Sequence, residues 1–289
     1  MKFALIIPTL NAGRDFAELL EQAAEQTRQP AQKLVIDSSS VDNTVAIAAK
    51  HGWKTKVISP KEFNHGLTRQ AAWKKMLAFD DRIKIAVYLT QDVRFCDNRG
   101  LENLLAAFDD DRVGAAYGRQ LPHKNASLAA VMQREFSYPA QSRRKTLDDA
   151  PELGIRAPFL SDAFAAYRLS ALDEIGGFPL TDICEDMYVG GKLLLAGWAI
   201  KYEASAMVYH SHDFDFRQNL DRYLAIGAFQ RKNSWLGERF GKSEGAGVKL
   251  LQSQLKTAWD KRNWKAAGEI VLADAVKFLA YRVGYYRGR

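Results

Sequence analysis

Cysteine is scarce: Cys96 and Cys184 are the two in 289 residues, too few and too far apart for a disulfide framework or a cysteine-type zinc site. A reducing compartment is expected, with both thiols buried as small hydrophobes. Long apolar runs are missing as well. A bilayer span needs roughly 18 apolar residues. The nearest approach, IVLADAVKFLAYRV, is broken by Asp274, Lys277 and Arg282, which excludes an integral membrane protein. The opening MKFALIIPTL is too short for a secretory signal core and has no cleavage site, so a cytoplasmic chain is expected. The sequence has no internal repeat and no low-complexity segment. It also lacks a Walker sequence and the G-x-G-x-x-G turn that a dinucleotide-binding fold needs after its first strand.

What is present suffices for a full core. With 47% hydrophobic residues, one large domain or a domain plus an appendage is expected. The net charge of +7 is uneven: residues 214–289 hold 15 Lys and Arg against 7 Asp and Glu, and the rest of the chain 26 against 27. All of the basic excess therefore lies in the last quarter. It reads either as a solvated helical surface or as attraction to an anionic one. No nucleic-acid-binding motif accompanies it, and nucleic acid is not expected as a partner.

The first half alternates between strand and helix. KFALIIPT, KLVID, KTKVIS and IKIAVYLT read as strands, with FAELLEQAAEQ, TVAIAAKHG and TRQAAWKKMLAF as the helices between them. Crossovers of this length predict an α/β fold with a parallel sheet covered on both faces. Ligands of such sheets bind beyond the carboxyl ends of the strands, where Asp37 and Asp92 both fall. Residues 120–160 lose periodicity and read as a long loop. Regularity resumes with SDAFAAYRLSAL, the turn IGGFP, a helix in EDMYVGGKLLLAG and a strand in AIKYEASAMVYH. Beyond Phe214 the pattern is helical: one stretch over 216–240, a Gly-rich break at GKSEGAG, and two further amphipathic stretches.

Several residues at these positions can carry chemistry. In VIDSSSVDNT, Asp42 and Asn43 can cap the next helix, whereas Asp37 sits where a carboxylate accepts from a base N–H or a ribose hydroxyl. PTLNAGRD is no phosphate loop, so phosphates must be held another way. A hard cation, Mg²⁺ or Mn²⁺, needs only one or two protein carboxylates beside phosphate oxygens and waters. Asp92 can supply that share, although a lone acid after a strand also serves as a cap or surface group. Glu185 and Asp186 open a helix, where acids suit the macrodipole; a carboxylate there can equally take a proton from a hydroxyl nucleophile. His210 and His212, at i and i+2 of one strand end, point the same way and can be structural or complete a metal's coordination. His65 in FNHG either bonds a phosphate or sugar or holds the turn. Trp198 reads as core.

Taken in order, VIDSSSVDNT, TQD, ICEDMYVGGKLLLAGW and the basic helical tail resemble a family 2 glycosyltransferase with a GT-A fold. Within that family, EFNHGLTRQ, LTQD and YHSH resemble the bacterial rhamnosyltransferases that use dTDP-rhamnose for cell-surface polysaccharides. The resemblance covers residues 1 to about 215. It implies a Rossmann-like, mostly parallel sheet flanked by helices, with a C-terminal helical extension. The implied domains are a catalytic one over 1–213, divided into a nucleotide-sugar half (1–119) and an acceptor half (120–213), and an extension over 214–289. Asp186 matches the family's general base, with Glu185 beside it. Asp37 would meet base or ribose, and Arg69 would reach toward base or phosphates. Pro8, Thr9, Asn11, Ser39, His65 and Gln91 fall in the same nucleotide-sugar site. Asp92 matches the metal-binding last acid of the family's D-x-D, with His210 and His212 as further metal candidates. Thr90 stands where the first acid of that motif would be, which leaves the metal fewer protein ligands.

The resemblance thus implies an inverting transfer of L-rhamnose onto a glycan acceptor, a lipid-linked one in this reading, with Mg²⁺ or Mn²⁺ as cofactor. The C-terminal helices would touch the inner face of the cell membrane peripherally; their alternatives are packing on the catalytic domain or a homodimer contact. Three rivals remain: a transferase using a UDP-sugar, a sugar nucleotidyltransferase, and a non-catalytic sugar-nucleotide-binding assembly protein.

Overall fold

The computed structural model describes residues 1–260 and 262–288, and their side chains other than those at 76, 77 and 79. The chain divides into two compact units. The first comprises Met1–Gln120, Ala140–Leu147 and Pro158–His210, and the second Leu121–Pro139, Asp148–Ala157 and Ser211–Arg289.

The first unit opens with the alternation its sequence predicts: β1 (Lys2–Thr9), α1 (Asp15–Ala24), β2 (Gln32–Asp37), α2 (Thr44–Lys50), β3 (Lys54–Val57), α3 (His65–Phe79) and β4 (Ile83–Leu89). These four strands pair in parallel in the order β3-β2-β1-β4. Phe3 to Ile7 of β1 are buried without a break, as expected of a central strand covered on both faces. The register sets Thr9 opposite Asp37, so their side chains meet at the carboxyl end of the sheet. Phe16, Leu19 and Leu20 of α1 close one face of the core.

Beyond β4 the sheet turns antiparallel. β5 (Arg94–Phe95), α4 (Gly100–Ala106), β6 (Val113–Leu121), α5 (Leu128–Ser137), β7 (Arg143–Lys145), α6 (Ala150–Leu153), β8 (Phe164–Arg168), α7 (Leu169–Glu174), α8 (Glu185–Leu195) and β9 (Ala199–Tyr209) follow along the chain. β8 runs antiparallel to both β4 and β6, and β9 to both β5 and β7. The sequence VGAAYGRQL of β6 is poor in strand formers. It is held by burial instead: a Cβ on Gly118 would lie 2.5 Å from the Ala206 carbonyl oxygen, so the sheet closes tightly around it.

The second unit holds α5, α6, α9 (Phe216–Lys232), α10 (Ser234–Phe240), α11 (Ser243–Asp260) and α12 (Trp264–Arg287). Three sequence expectations are corrected here. The 120–160 region is structured, because Leu128 and Met132 of α5 pack with Leu251, Leu255, Ala258 and Ile270. The single stretch over 216–240 is two helices, parted at Asn233, which leaves helical backbone geometry at φ −115° and ψ 46°. The GKSEGAG break shrinks to its first two residues, because Gly245 and Gly247 lie inside α11, whose later turns are anchored by burial. Gly227 of α9 and Gly284 of α12 let these helices touch backbone to backbone: a Cβ on Gly284 would lie 2.0 Å from the Leu224 carbonyl oxygen. Among the described residues no helix is long and apolar enough to cross a membrane.

Candidate active site

The loops after β1 and β2 are laced together at the strand ends. Consecutive backbone N–H groups of Leu10, Asn11, Ala12 and Gly13 donate to Gln91 Oε1 (2.8 Å), Ser40 Oγ (2.7 Å), Thr44 Oγ1 (2.9 Å) and Asp42 Oδ2 (2.9 Å). A phosphate-cradling loop must keep such donors for its ligand. Here they are spent on side chains, which removes the physical basis for the nucleotidyltransferase alternative. Asp42 also accepts from the Thr44 N–H at the start of α2, whereas Asn43 makes no side-chain cap bond.

The predicted nucleotide residues lie along this rim. Asp37 is fully buried and takes hydrogen bonds from Thr9 Oγ1 (2.8 Å), Ser40 Oγ (2.6 Å) and the Ser40 N–H (2.8 Å). Ser39 holds a left-handed backbone (φ 60°) and donates to the Ile58 carbonyl, and Asn11 (φ 46°) accepts from the Val41 N–H. Gln91 pairs with both backbone groups of Leu10, and Pro8 lies in β1 opposite Ile36. The rim is therefore organised by its own hydrogen bonds.

The start of α3 builds the second part of the site. Gly66 is forced by packing, since a Cβ there would lie 1.8 Å from the Pro179 carbonyl oxygen. Asn64 accepts from the N–H groups of Leu67 (3.0 Å) and Thr181 (3.2 Å) and donates to Asp182 (2.7 Å), tying FNHG to the segment before α8. One turn on, Arg69 is buried and points into a cluster of carboxylates. Its Nη1 lies 3.0 Å from Glu185 Oε1 and its Nε 2.9 Å from Asp162 Oδ2; the second contact is an ion pair without an aligned hydrogen bond. Tyr167 donates to Asp162, Tyr88 donates to the Arg69 carbonyl, and His65 Nδ1 lies 3.9 Å from Glu185. Arg69, expected to reach toward base or phosphates, is thus committed to acids.

One guanidinium faces three carboxyls here, and the charge balance shows in their protonation. Burial, reinforced by Glu185, pushes Asp162 up to about 7 against the pull of Arg69. Burial first, then Glu185 and Asp162, raises Asp186 well above the usual carboxylate range. Asp186 is partly exposed in the first turn of α8, where Oδ1 accepts from the Met187 N–H at 2.7 Å. A carboxylate in this setting is a stronger base than a solvated one.

At the end of β4, Asp92 is 39% exposed and its Oδ2 lies 3.4 Å from Nε2 of His210, which closes β9. His212 opens the second unit two residues later, its ring stacked on Phe214 at 4.9 Å. Asp92 and His210, both in the first unit, make a donor pair of one carboxylate and one imidazole, which suits a divalent cation. Trp198 donates to Glu174 and its Cβ packs beside Gly114, a structural role. Both cysteines are half-buried, and burial pushes the Cys96 thiol up to about 11. Asp162 and Gln120 are functional positions that the sequence does not mark. Asp162 showed only as an acid ahead of an apolar strand in LSDAF, and Gln120 left no signal.

A parallel half continued by antiparallel strands, with an acid just past β4 and an acid pair opening α8, defines a GT-A glycosyltransferase. Solved structures share that fold. The mannosyltransferase PcManGT from Pyrobaculum calidifontis, in complex with GDP-Man and Mn²⁺, matches 99% of this chain and 85% of its own with a TM-score of 0.61 at 16% identity. S. aureus TarS 1-349 in complex with UDP-GlcNAc matches 99% and 92%, with a TM-score of 0.58 at 18% identity. The chain belongs to glycosyl transferase family 2, whose profile matches residues 4–176. It is 40% identical to the O-antigen chain rhamnosyltransferase WbaN of Salmonella anatum, over 98% of this chain and 89% of the relative. It is 38% identical to the O-antigen chain rhamnosyltransferase RfbN of Salmonella typhimurium strain LT2, over 98% and 90%.

Proposed function

We propose that this glycosyltransferase moves L-rhamnose from dTDP-rhamnose onto a hydroxyl of a lipid-linked glycan, with inversion at the anomeric carbon and Asp186 as the base. The observation that carries the reading is the setting of Asp186 at the mouth of α8, where burial and then the carboxyls around Arg69 raise its proton affinity. The names of the two Salmonella relatives favour rhamnose over other sugars. In this reading the nucleoside diphosphate lies along the rim from Thr9 to Ser39. Asp186 takes the proton as the acceptor O–H bond breaks, the oxygen bonds to the anomeric carbon, and the bond from that carbon to the diphosphate breaks on the opposite face.

Asp92 and His210 would hold Mg²⁺ or Mn²⁺, which supplies positive charge for the departing diphosphate. Arg69 acts one step back, holding Glu185 and Asp162 so that the acid pair keeps its place. For the acceptor we infer a membrane-surface position through α12. Leu272, Phe278, Leu279, Val283 and Tyr286 recur there at helical spacing and are 40% or more exposed, within the basic quarter of the chain.

Asp186→Asn tests the base. Transfer measured with dTDP-rhamnose and a glycan acceptor should fall by about 10²- to 10⁴-fold, while thermal stabilisation by the donor persists. Stabilisation by a UDP-sugar and not by dTDP-rhamnose would overturn the donor, and unchanged transfer in Asp186→Asn would overturn the base.

A further inference from the structure

Gln120 lies near the end of β6 and is 1% exposed, yet nothing in the transfer chemistry calls for it. We propose that Gln120 is a positioning residue that sets the tautomer of His210 and so turns its Nε2 into a cation ligand beside Asp92. The inference rests on the reading of Asp92 and His210 as a cation site and names what builds it.

Gln120 Nε2 donates to Ser161 Oγ at 2.8 Å, which leaves Oε1 directed at His210 Nδ1, also at 2.8 Å. A carboxamide oxygen only accepts, so the hydrogen must sit on Nδ1. When the ring carries this one hydrogen, its Nε2 lone pair faces Asp92 Oδ2 at 3.4 Å. A lone pair held against a carboxylate is repulsive when the space between them is empty. It becomes favourable when both atoms bind one cation, and at 3.4 Å the two are close enough to reach the same ion. Outer partners of this kind orient metal-binding imidazoles and raise their basicity. The competing network turns the Gln120 carboxamide by half a turn: Ser161 donates to Oε1, Nδ1 accepts, and Nε2–H donates to Asp92. That version closes the pair to a cation, so the tautomer decides between the two.

Two measurements on the full chain test the proposal. Nitrogen NMR of the imidazoles without metal, at a pH where free imidazoles are neutral, reports which His210 nitrogen carries hydrogen; His210→Gln identifies its signals. Manganese EPR gives the Mn²⁺ affinity of wild type, Gln120→Leu, Gln120→Glu, Ser161→Ala and Asp92→Ala. The expected result is Nδ1–H in wild type, loss of that preference in Gln120→Leu, and Mn²⁺ affinity lower by about 10- to 100-fold in Gln120→Leu. Gln120→Glu keeps an acceptor for Nδ1–H and should restore both readouts, which general damage to the core would not allow. Ser161→Ala should weaken affinity in the same direction, and covers the case in which Gln120→Leu does not fold. Nε2–H in wild type, or wild-type Mn²⁺ affinity in Gln120→Leu, overturns the proposal. If wild type binds no Mn²⁺ and Asp92→Ala changes nothing, the cation reading itself falls and this inference with it.

Discussion

Replacing Asp162 by Asn should remove a step from the pH dependence of stability. Asp162 is buried against Arg69 and Tyr167, and burial with the Glu185 charge lifts it from 3.8 to about 7. A carboxyl whose native value lies above its unfolded value binds its proton more tightly when folded. Its contribution is therefore complete below pH 4 and is lost as pH rises toward 7. At about 1.4 kcal/mol per pH unit the loss is about 4 kcal/mol, or roughly 8–16 °C in melting temperature for a unit of this size. Asn keeps the shape and an acceptor for Tyr167 but cannot ionise. Melting wild type and Asp162→Asn at intervals from pH 4 to 8 isolates the effect, because the other carboxyls contribute to both curves. Relative to Asp162→Asn, wild type should lose stability steadily between pH 4 and 7 and then level off. Since the carboxyls around Arg69 share their protons, a residual step in Asp162→Asn would report Asp186. Two curves that stay parallel across this range would refute the cluster's charge balance and the argument for Asp186 that rests on it.

Removing the cation from the same cluster should act in the opposite sense. Arg69→Met leaves buried carboxylates without their partner and should destabilise by about 3–5 kcal/mol near neutral pH, recovering in acid; urea unfolding at pH 5 and 8 measures it. Gly284→Val places side-chain atoms where a Cβ alone would lie 2.0 Å from the Leu224 carbonyl oxygen. It should cost about 2 kcal/mol or more and loosen the contact of α9 with α12, read by circular dichroism melting. For the membrane reading, sedimentation with phosphatidylglycerol vesicles should recover wild type at low salt and lose it with phosphatidylcholine. Leu272→Ser, Phe278→Ser and Leu279→Ser combined should lower partitioning by at least about tenfold, since each buried apolar side chain is worth about 1.5–3 kcal/mol. A dimer that dissociates in the triple variant without vesicles would assign this face to a second copy instead.

Much of the first unit is legible in the sequence because its signals are local. The apolar runs of β1, β2 and β4 and the helices between them follow from side-chain periodicity. The strand-end positions of Asp37 and Asp92 follow from where those runs stop. Regions whose order depends on distant partners were not legible in the same way. β6 has a weak strand sequence and is stabilised by its neighbours in the sheet, and α5 is held by residues more than a hundred positions later.

The same division holds for the site. The sequence alone determined that Glu185 and Asp186 open a helix, that His210 closes a strand and that no glycine-rich phosphate turn follows β1, since each depends on neighbours along the chain. Tertiary structure decided that the four N–H groups after β1 are already bonded, that Arg69 turns inward, and that Asp162 and Gln120 join residues 93 and 90 positions away. The physical reason is that a carboxyl's proton affinity and an imidazole's tautomer are set by burial and by the groups within a few ångströms, and chain order does not specify which groups those are.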